Sequence, residues 1–182
     1  MNKILAFLII IALLPIFIFI YIFILLSTFK NPLYFSKRIG KNQSTFFMPK
    51  FRTMKLNTPQ LATHLLNNSE NYLYFYGPFL RKSSLDELPQ LLSIIKGDLN
   101  FIGPRPALFN QKDLINSRKQ NNILTMKPGI TGLAQVMGRD ELTIQKKVEY
   151  EIYYKNNKSF YLDIKIILLT FKKILINKDV LH

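Results

Sequence analysis

The residues of this chain best suited to chemistry are two adjacent carboxylates, Asp86 and Glu87, in the segment SLDELPQL. Arg81 and Lys82 lie just upstream, as expected where an anionic group approaches the N-terminus of a helix. Neighbouring side chains on a helix project about 100° apart, so the carboxylates favour separate roles over a shared proton. One could attack an electrophile while the other holds a divalent ion. Ser84 and Glu87 also fit a helix capping box, which explains the glutamate by structure alone.

Two segments further along the chain combine a cation with glycine or proline. In GPRP, residues 103–106, the flanking prolines stiffen the backbone around Arg105, which then loses less freedom when it forms a fork to phosphate. In residues 127–140, glycines permit close backbone approach to a ligand, and Lys127 and Arg139 match phosphate charge. Neither segment is a Walker loop or a dinucleotide fingerprint. Taken alone, the first segment is more simply a rigid surface turn with a solvated arginine.

The composition limits the partners of these residues. The 182 residues carry 25 Lys and Arg against 11 Asp and Glu, a formal net charge of +14. Such a basic chain is expected to meet nucleic acid, phospholipid or a phosphorylated substrate. Because there is no Cys, a disulfide scaffold, a thiolate zinc site and a catalytic thiol are all excluded.

An uncharged apolar run from Ile4 to Leu26 predicts a membrane helix of roughly 35 Å. The run ends without the small-residue motif of a signal-peptide cleavage site. Pro15 lies at its middle, where proline kinks or breaks a helix. The residues alone favour a single bent span over a re-entrant helix that returns to the same face. In both cases the excess of positive charge after this run places the rest of the chain in the cytoplasm.

The remaining elements predict one compact domain with a small sheet and several helices. Residues 31–54 are typical of short strands and turns, and Ser84 to Lys96 is predicted to be a helix that ends at Gly97. Ile144 to Tyr154 and Phe160 to Ile176 are also predicted to be helical. In the last of these, apolar residues alternate with lysines, which fits either an interfacial helix on anionic lipid or a core-facing helix with a solvated side.

Taken in order, these motifs resemble the bacterial sugar transferases, the monotopic phosphoglycosyl transferases of surface-glycan initiation. The matching segments are KFRTM, SLDELPQL, KGDLNFIGPRP, KPGITGLAQV, GRD and SFYLDIKIILLT, between about Pro32 and Thr170. The resemblance implies a re-entrant membrane helix over residues 1–29, kinked at Pro15, although Leu14 stands where the family usually has Ser. It implies a cytoplasmic catalytic domain over residues 30–182. The expected fold class is mixed α/β, mostly helical, with a small sheet and amphipathic interfacial helices.

The resemblance also implies an activity and the residues that perform it. The enzyme would move a phosphosugar from a UDP-sugar to undecaprenyl phosphate and release UMP, on the cytoplasmic face of the bacterial inner membrane. Asp86 would be the nucleophile that forms a covalent aspartyl-phosphosugar, and Glu87 would be its partner and would bind Mg²⁺. The cations expected to bind the phosphates and the nucleotide are Arg81, Arg105, Lys127 and Arg139.

The resemblance extends to partners and leaves two other classes of protein to test. Besides the two substrates, we expect membrane phospholipid as a partner and no nucleic acid. The resemblance leaves open whether two copies of the chain form a homodimer. One alternative is a non-catalytic scaffold of a glycan-assembly complex that has kept the family fold. The other is a membrane-tethered nucleic-acid-binding protein, motivated by the net charge of +14 but without a recognition-module signature.

Overall fold

A computed structural model describes residues 2–59, 69–138 and 141–176 and confirms the predicted class, mostly helical with little sheet. The two sheets have two strands each, β1 with β2 and β3 with β4. The helices are α1 (Asn2–Thr28), α2 (Gly77–Lys82), α3 (Gln90–Lys96), α4 (Lys112–Gln120), α5 (Leu133–Met137), α6 (Ile144–Asn156) and α7 (Phe160–Ile176), and the strands are β1 (Leu33–Ile39), β2 (Thr45–Phe51), β3 (Asn100–Ile102) and β4 (Gly129–Thr131). The predicted helices at residues 144–154 and 160–176 are confirmed by α6 and α7.

The chain divides into two compact units. The first contains residues 1–36 and 47–97, and the second contains residues 37–46 and 98–181. The hairpin of β1 and β2 therefore has its base in the first unit and its tip in the second. The predicted boundary between residues 29 and 30 stays a prediction.

Helix α1 is the one helix in the described part of the chain that is long and apolar enough to cross a membrane. Its buried residues, Ala6, Ile20 and Ile24, repeat at helical spacing and lie on one face, and α1 packs against α3. Most of its other large apolar side chains are exposed. Pro15 lies inside this continuous helix.

The core of the first unit joins α1, β2 and α2. Its buried members are Ile20, Ile24, Phe51, Tyr76 and Leu80. The ring of Phe23 meets that of Tyr76 edge-on at 5.5 Å, an arrangement favoured by aromatic quadrupoles. This packing fixes α2 beside β2. The candidate site residues of this unit that are described below lie on these two elements or in the turn that follows α2.

Helix α7 in the second unit presents two apolar faces. Its inner face buries Ile166 completely, with Val136 and Tyr154 as buried neighbours. A second row at spacings of three and four residues is solvent-exposed and consists of Tyr161, Ile164, Leu168, Phe171 and Leu175. The core-facing interpretation is therefore confirmed for one face, and the exposed row keeps the interfacial interpretation as a prediction.

Candidate active site

The two carboxylates lie in a short 3-10 turn, not in an α-helix. Leu85–Glu87 forms this turn, and α3 begins only at Gln90, with Pro89 at its N-cap position. The predicted helix start at Ser84 is therefore wrong, because a proline fits the first turn of a helix but not its interior. The predicted stop is confirmed, since Gly97 ends α3 with φ 101°.

The predicted capping box is also wrong. Ser84 has a left-handed backbone with φ 58°, and its side chain makes no capping hydrogen bond. The Glu87 carboxylate accepts a hydrogen bond from the ammonium of Lys50 at 2.7 Å. A non-glycine residue in this conformation costs of order 1 kcal/mol or more and is often found at functional sites. The structure thus places local strain two residues before Asp86.

Lys50 on β2 is a site residue that sequence reasoning did not identify. Its Nζ lies 2.7 Å from Glu87 Oε1 and 3.9 Å from Asp86 Oδ2. The exposed fractions of the Lys50, Asp86 and Glu87 side chains are 16%, 9% and 13%. The signal available in the sequence was a lysine between the apolar residues Pro49 and Phe51 in a segment typical of strands. We call Lys50, Asp86 and Glu87 the carboxylate cluster.

The carboxylate cluster is largely enclosed, so the interactions between its charges are stronger than they would be in bulk water. Charges largely withdrawn from bulk water interact through a lower effective dielectric than charges in solution. Within the cluster, one ammonium faces two carboxylates. Such a centre holds two carboxylates close together and largely out of bulk water, where a carboxylate can act on an electrophile or bind a divalent ion.

The donor set fits Mg²⁺ only with help from a ligand. Among the described residues, no group of three or more His, Cys, Asp and Glu side chains is placed to hold a metal ion. Mg²⁺ is commonly bound through one or two carboxylates, with phosphate oxygens and water completing its shell. Asp86 and Glu87 can supply those carboxylates, and the ammonium of Lys50 competes for the same oxygens.

Arg81 is held in the same unit as the carboxylate cluster. It lies in the last turn of α2, half-buried, and its Nε donates to the hydroxyl of Thr53 at 3.0 Å. Thr53 is itself 5% exposed and follows β2 by two residues. Thr53 therefore fixes the direction of the arginine, a role that sequence reasoning missed.

The second unit brings together the loops that carry Arg105 and Lys127. The amide of Gly103 donates to Thr131 O at 2.9 Å, and the amide of Gly129 donates to Pro104 O at 3.0 Å. Strands β3 and β4 pair in parallel at this point. Gly129 and Gly132, which the sequence predicts to permit close approach of a ligand, let the two loops approach each other, and their approach to a ligand stays a prediction. Arg139, the remaining predicted cation, lies outside the described residues.

With this geometry established, comparison with known proteins becomes informative. The profile of the family described as "Bacterial sugar transferase" matches residues 1–177. The Bacillus subtilis protein "Uncharacterized sugar transferase EpsL" is 40% identical over 151 residues, covering 82% of this chain and 73% of that protein.

Two further relatives carry more specific names. The "UDP-glucose:undecaprenyl-phosphate glucose-1-phosphate transferase" of Xanthomonas campestris pv. campestris is 36% identical in an alignment of 185 positions, gaps included, that covers 96% of this chain and 38% of that protein. The "Undecaprenyl-phosphate galactose phosphotransferase" of Salmonella typhimurium is 32% identical in an alignment of 158 positions, gaps included, that covers 79% of this chain and 33% of that protein. The chain thus spans about a third of the length of these two relatives.

Proposed function

Because the chain belongs to the bacterial sugar transferase family, we propose that it is a phosphoglycosyl transferase. It moves a phosphosugar from a UDP-sugar to undecaprenyl phosphate and releases UMP. The names of two relatives, which specify undecaprenyl phosphate together with glucose-1-phosphate or galactose, support this substrate class.

The observation that carries the proposal is the carboxylate cluster. Asp86 is 6% exposed as a residue, so its carboxylate works where competing water is scarce. Glu87 accepts a hydrogen bond from Lys50 at 2.7 Å, whereas Asp86 lies 3.9 Å from the same nitrogen. Asp86 is therefore the carboxylate less firmly engaged by this lysine, and we assign it as the nucleophile.

The reaction proceeds in two displacements at phosphorus. An Asp86 oxygen attacks the sugar-linked phosphate of the donor, and the bridging phosphorus–oxygen bond breaks, so that UMP leaves with the electron pair. An oxygen of the polyprenyl phosphate then attacks the same phosphorus. The bond to Asp86 breaks, and the carboxylate is regenerated.

Neighbouring groups support this chemistry electrostatically. A bound Mg²⁺ would neutralise diphosphate charge, and Glu87 would hold it. Lys50 orients Glu87 and reduces the negative charge that an incoming phosphate meets. Arg81, directed by Thr53, adds a fork suited to phosphate oxygens. Arg105, Lys127 and Arg139 are proposed to bind the remaining phosphate and nucleotide groups.

The membrane topology belongs to the same proposal. We place the unit that carries Asp86 on the cytoplasmic face and α1 in the membrane as a re-entrant helix. Both ends of α1 meet the first unit, with Lys3 Nζ beside Gly97 and Ile24 in the core with Tyr76. A helix whose two ends contact the same unit fits a dip into the bilayer better than a crossing. A single cysteine at Asn2, in a chain that has no Cys, should be labelled only from the cytoplasmic side.

The activity is tested by UMP release from a panel of UDP-sugars, using membranes that contain the full chain, undecaprenyl phosphate and Mg²⁺. We expect release with at least one sugar and about 1,000-fold less with Asp86→Ala, since the covalent route is lost. Undiminished lipid-linked product in Asp86→Ala would refute the assignment. A scaffold protein would bind the donor without releasing UMP.

A further inference from the structure

We propose that Gly103, Gly129 and Gly132 form a lock that holds Arg105 and Lys127 at a fixed separation, as positioning residues for the donor diphosphate. This glycine lock rests on the proposed function, because it presumes a diphosphate ligand. It goes beyond that function in assigning a role to residues that touch no substrate.

These three positions require glycine because a Cβ atom would clash with neighbouring backbone, and not because of an unusual φ angle. A Cβ on Gly132 would lie 2.1 Å from Gly103 O, and a Cβ on Gly129 would lie 2.2 Å from Gly103 N. A Cβ on Gly103 would lie 2.6 Å from Lys127 O. The atoms met are all backbone atoms, which cannot rotate away. Gly132 has φ −177°, an extended angle that any residue adopts, so the absence of a side chain is what matters.

The lock joins the two cation-bearing loops directly. Strand β3 pairs with β4 in the register Asn100 with Gly129 and Ile102 with Thr131. Arg105 follows Gly103 by two residues, and Lys127 precedes Gly129 by two. Both cations are half-buried, and the glycines two residues away from them are buried. The chain segments that carry Arg105 and Lys127 therefore both adjoin the close contact between Gly103 and Gly129, one from β3 and one from β4.

A fixed separation matters for recognising a diphosphate. Ordering a long cationic side chain on binding costs conformational entropy, and pre-ordering removes part of that cost. Pro104 and Pro106 restrain the backbone beside Arg105 further. A side chain at Gly132 would move the loops apart by about 1 Å, a displacement that can cost roughly 100-fold in a positioned site.

The test is the affinity for UDP in the presence of Mg²⁺, measured on the full chain in lipid nanodiscs. We expect Gly132→Ala to weaken binding at least tenfold. In an Arg105→Ala/Lys127→Ala background the same change should cost less than twofold, because nothing remains to be positioned. Gly40→Ala is the matched control, since its Cβ meets first the rotatable Ser44 hydroxyl, at 2.9 Å. It should bind UDP like the wild type.

A second variant covers the case in which Gly132→Ala does not fold. Pro104→Ala adds no atom to the lock and keeps the carbonyl that accepts from Gly129. It loosens the connection to Arg105, so we expect UDP binding to weaken a few-fold, and only when both cations are present.

Three results would overturn the lock. They are wild-type affinity in both Gly132→Ala and Pro104→Ala, an equal loss in the background without Arg105 and Lys127, and wild-type affinity of that background itself. Failure of the proposed function is a separate observation, namely UDP binding without UMP release from any UDP-sugar.

Discussion

Each unit encloses one cluster of oppositely charged side chains, and the two clusters differ in their geometry. Arg118 on α4 and Glu151 on α6 are each 4% exposed at the side chain. Arg118 Nε donates to Glu151 Oε2 at 2.8 Å, and Nη2 bonds the other oxygen. One cation meets one anion through two bonds. In the carboxylate cluster, the single ammonium of Lys50 faces two carboxylates, and its side chain is 16% exposed.

This difference distinguishes the Arg118–Glu151 pair, which is structural, from the carboxylate cluster, which is a candidate site. A matched bidentate pair fixes two helices and leaves little capacity for a ligand. In the carboxylate cluster, the ammonium of Lys50 lies 2.7 Å from Glu87 but 3.9 Å from Asp86, and the lysine side chain is 16% exposed against 4% for Arg118. Burial of charge alone therefore does not mark an active site. The geometry of the ion pairs and their access to solvent do.

The largest effect on stability is expected from Arg118→Ala. It leaves the Glu151 carboxylate buried without this partner, and breaking such a pair costs about 3–5 kcal/mol. Chemical denaturation of the purified chain measures the loss. An Arg118→Met/Glu151→Leu variant should regain most of it, because apolar residues of similar volume can replace a buried pair. A loss below about 1 kcal/mol for Arg118→Ala would contradict the structural assignment.

In contrast to Arg118→Ala, Lys50→Met should reduce activity more than it reduces stability. The variant removes the ammonium that lies 2.7 Å from Glu87 and 3.9 Å from Asp86, so the incoming diphosphate meets more negative charge. We expect UMP release to fall by about 100-fold, equivalent to about 2.7 kcal/mol.

Lys146→Met is the matched control, since that lysine forms an exposed 2.7 Å pair with Glu149. Release and melting temperature should both stay at wild-type values there. Turnover by Lys50→Met within twofold of the wild type would remove Lys50 from the site.

Two buried tyrosines extend the comparison to neutral groups. Tyr154 donates to Asp163 Oδ1 at 2.7 Å, and burial together with this bond raises the pKa of Tyr154. Tyr154→Phe should cost about 1.5–3 kcal/mol, the range for a hydrogen bond to a charged group. Denaturation at neutral pH measures this loss, and no measurable change would show that the bond is not formed in solution.

Tyr76→Phe should have the smallest effect. The Tyr76 hydroxyl is buried and has no hydrogen-bond partner in the described part of the chain, so its removal at neutral pH should change stability by less than about 1 kcal/mol. Burial, with Tyr74 nearby, raises the pKa of Tyr76 from 10.0 to about 12.

The sign of the pH effect follows from that pKa. Folding disfavours the ionised phenol, so the wild type loses stability as pH rises from 10 to about 12. Tyr76→Phe should lose less over the same range. Parallel pH profiles of melting temperature for the two proteins would contradict the assignment.

The sequence predicted what depends on local pattern. Helix α7 has the predicted bounds because apolar periodicity over seventeen residues is a strong signal, and Gly97 ends α3 because glycine tolerates a positive φ. The order of the motifs indicated the family. It also brought Asp86 and Glu87 to attention.

The rest depends on contacts between distant parts of the chain. Lys50 lies 37 residues from Glu87, and single-sequence periodicity does not pair a strand residue with a later turn. The helix start was misplaced because Pro89 can open a helix as well as distort it. The close approach of Gly129 and Gly132 to the backbone of Gly103 cannot be read from their spacing, because it depends on the pairing of β3 with β4.

The central claim, that Asp86 becomes covalently linked to the phosphosugar, is tested most directly by intact mass. The full chain is incubated with an accepted UDP-sugar and Mg²⁺ in the absence of polyprenyl phosphate. We predict a mass increase of one phosphosugar, located on the peptide that contains Asp86, with an equal amount of UMP. Asp86→Asn should gain no mass. Rapid turnover with polyprenyl phosphate but no adduct without it, or an adduct that persists in Asp86→Asn, would contradict the account.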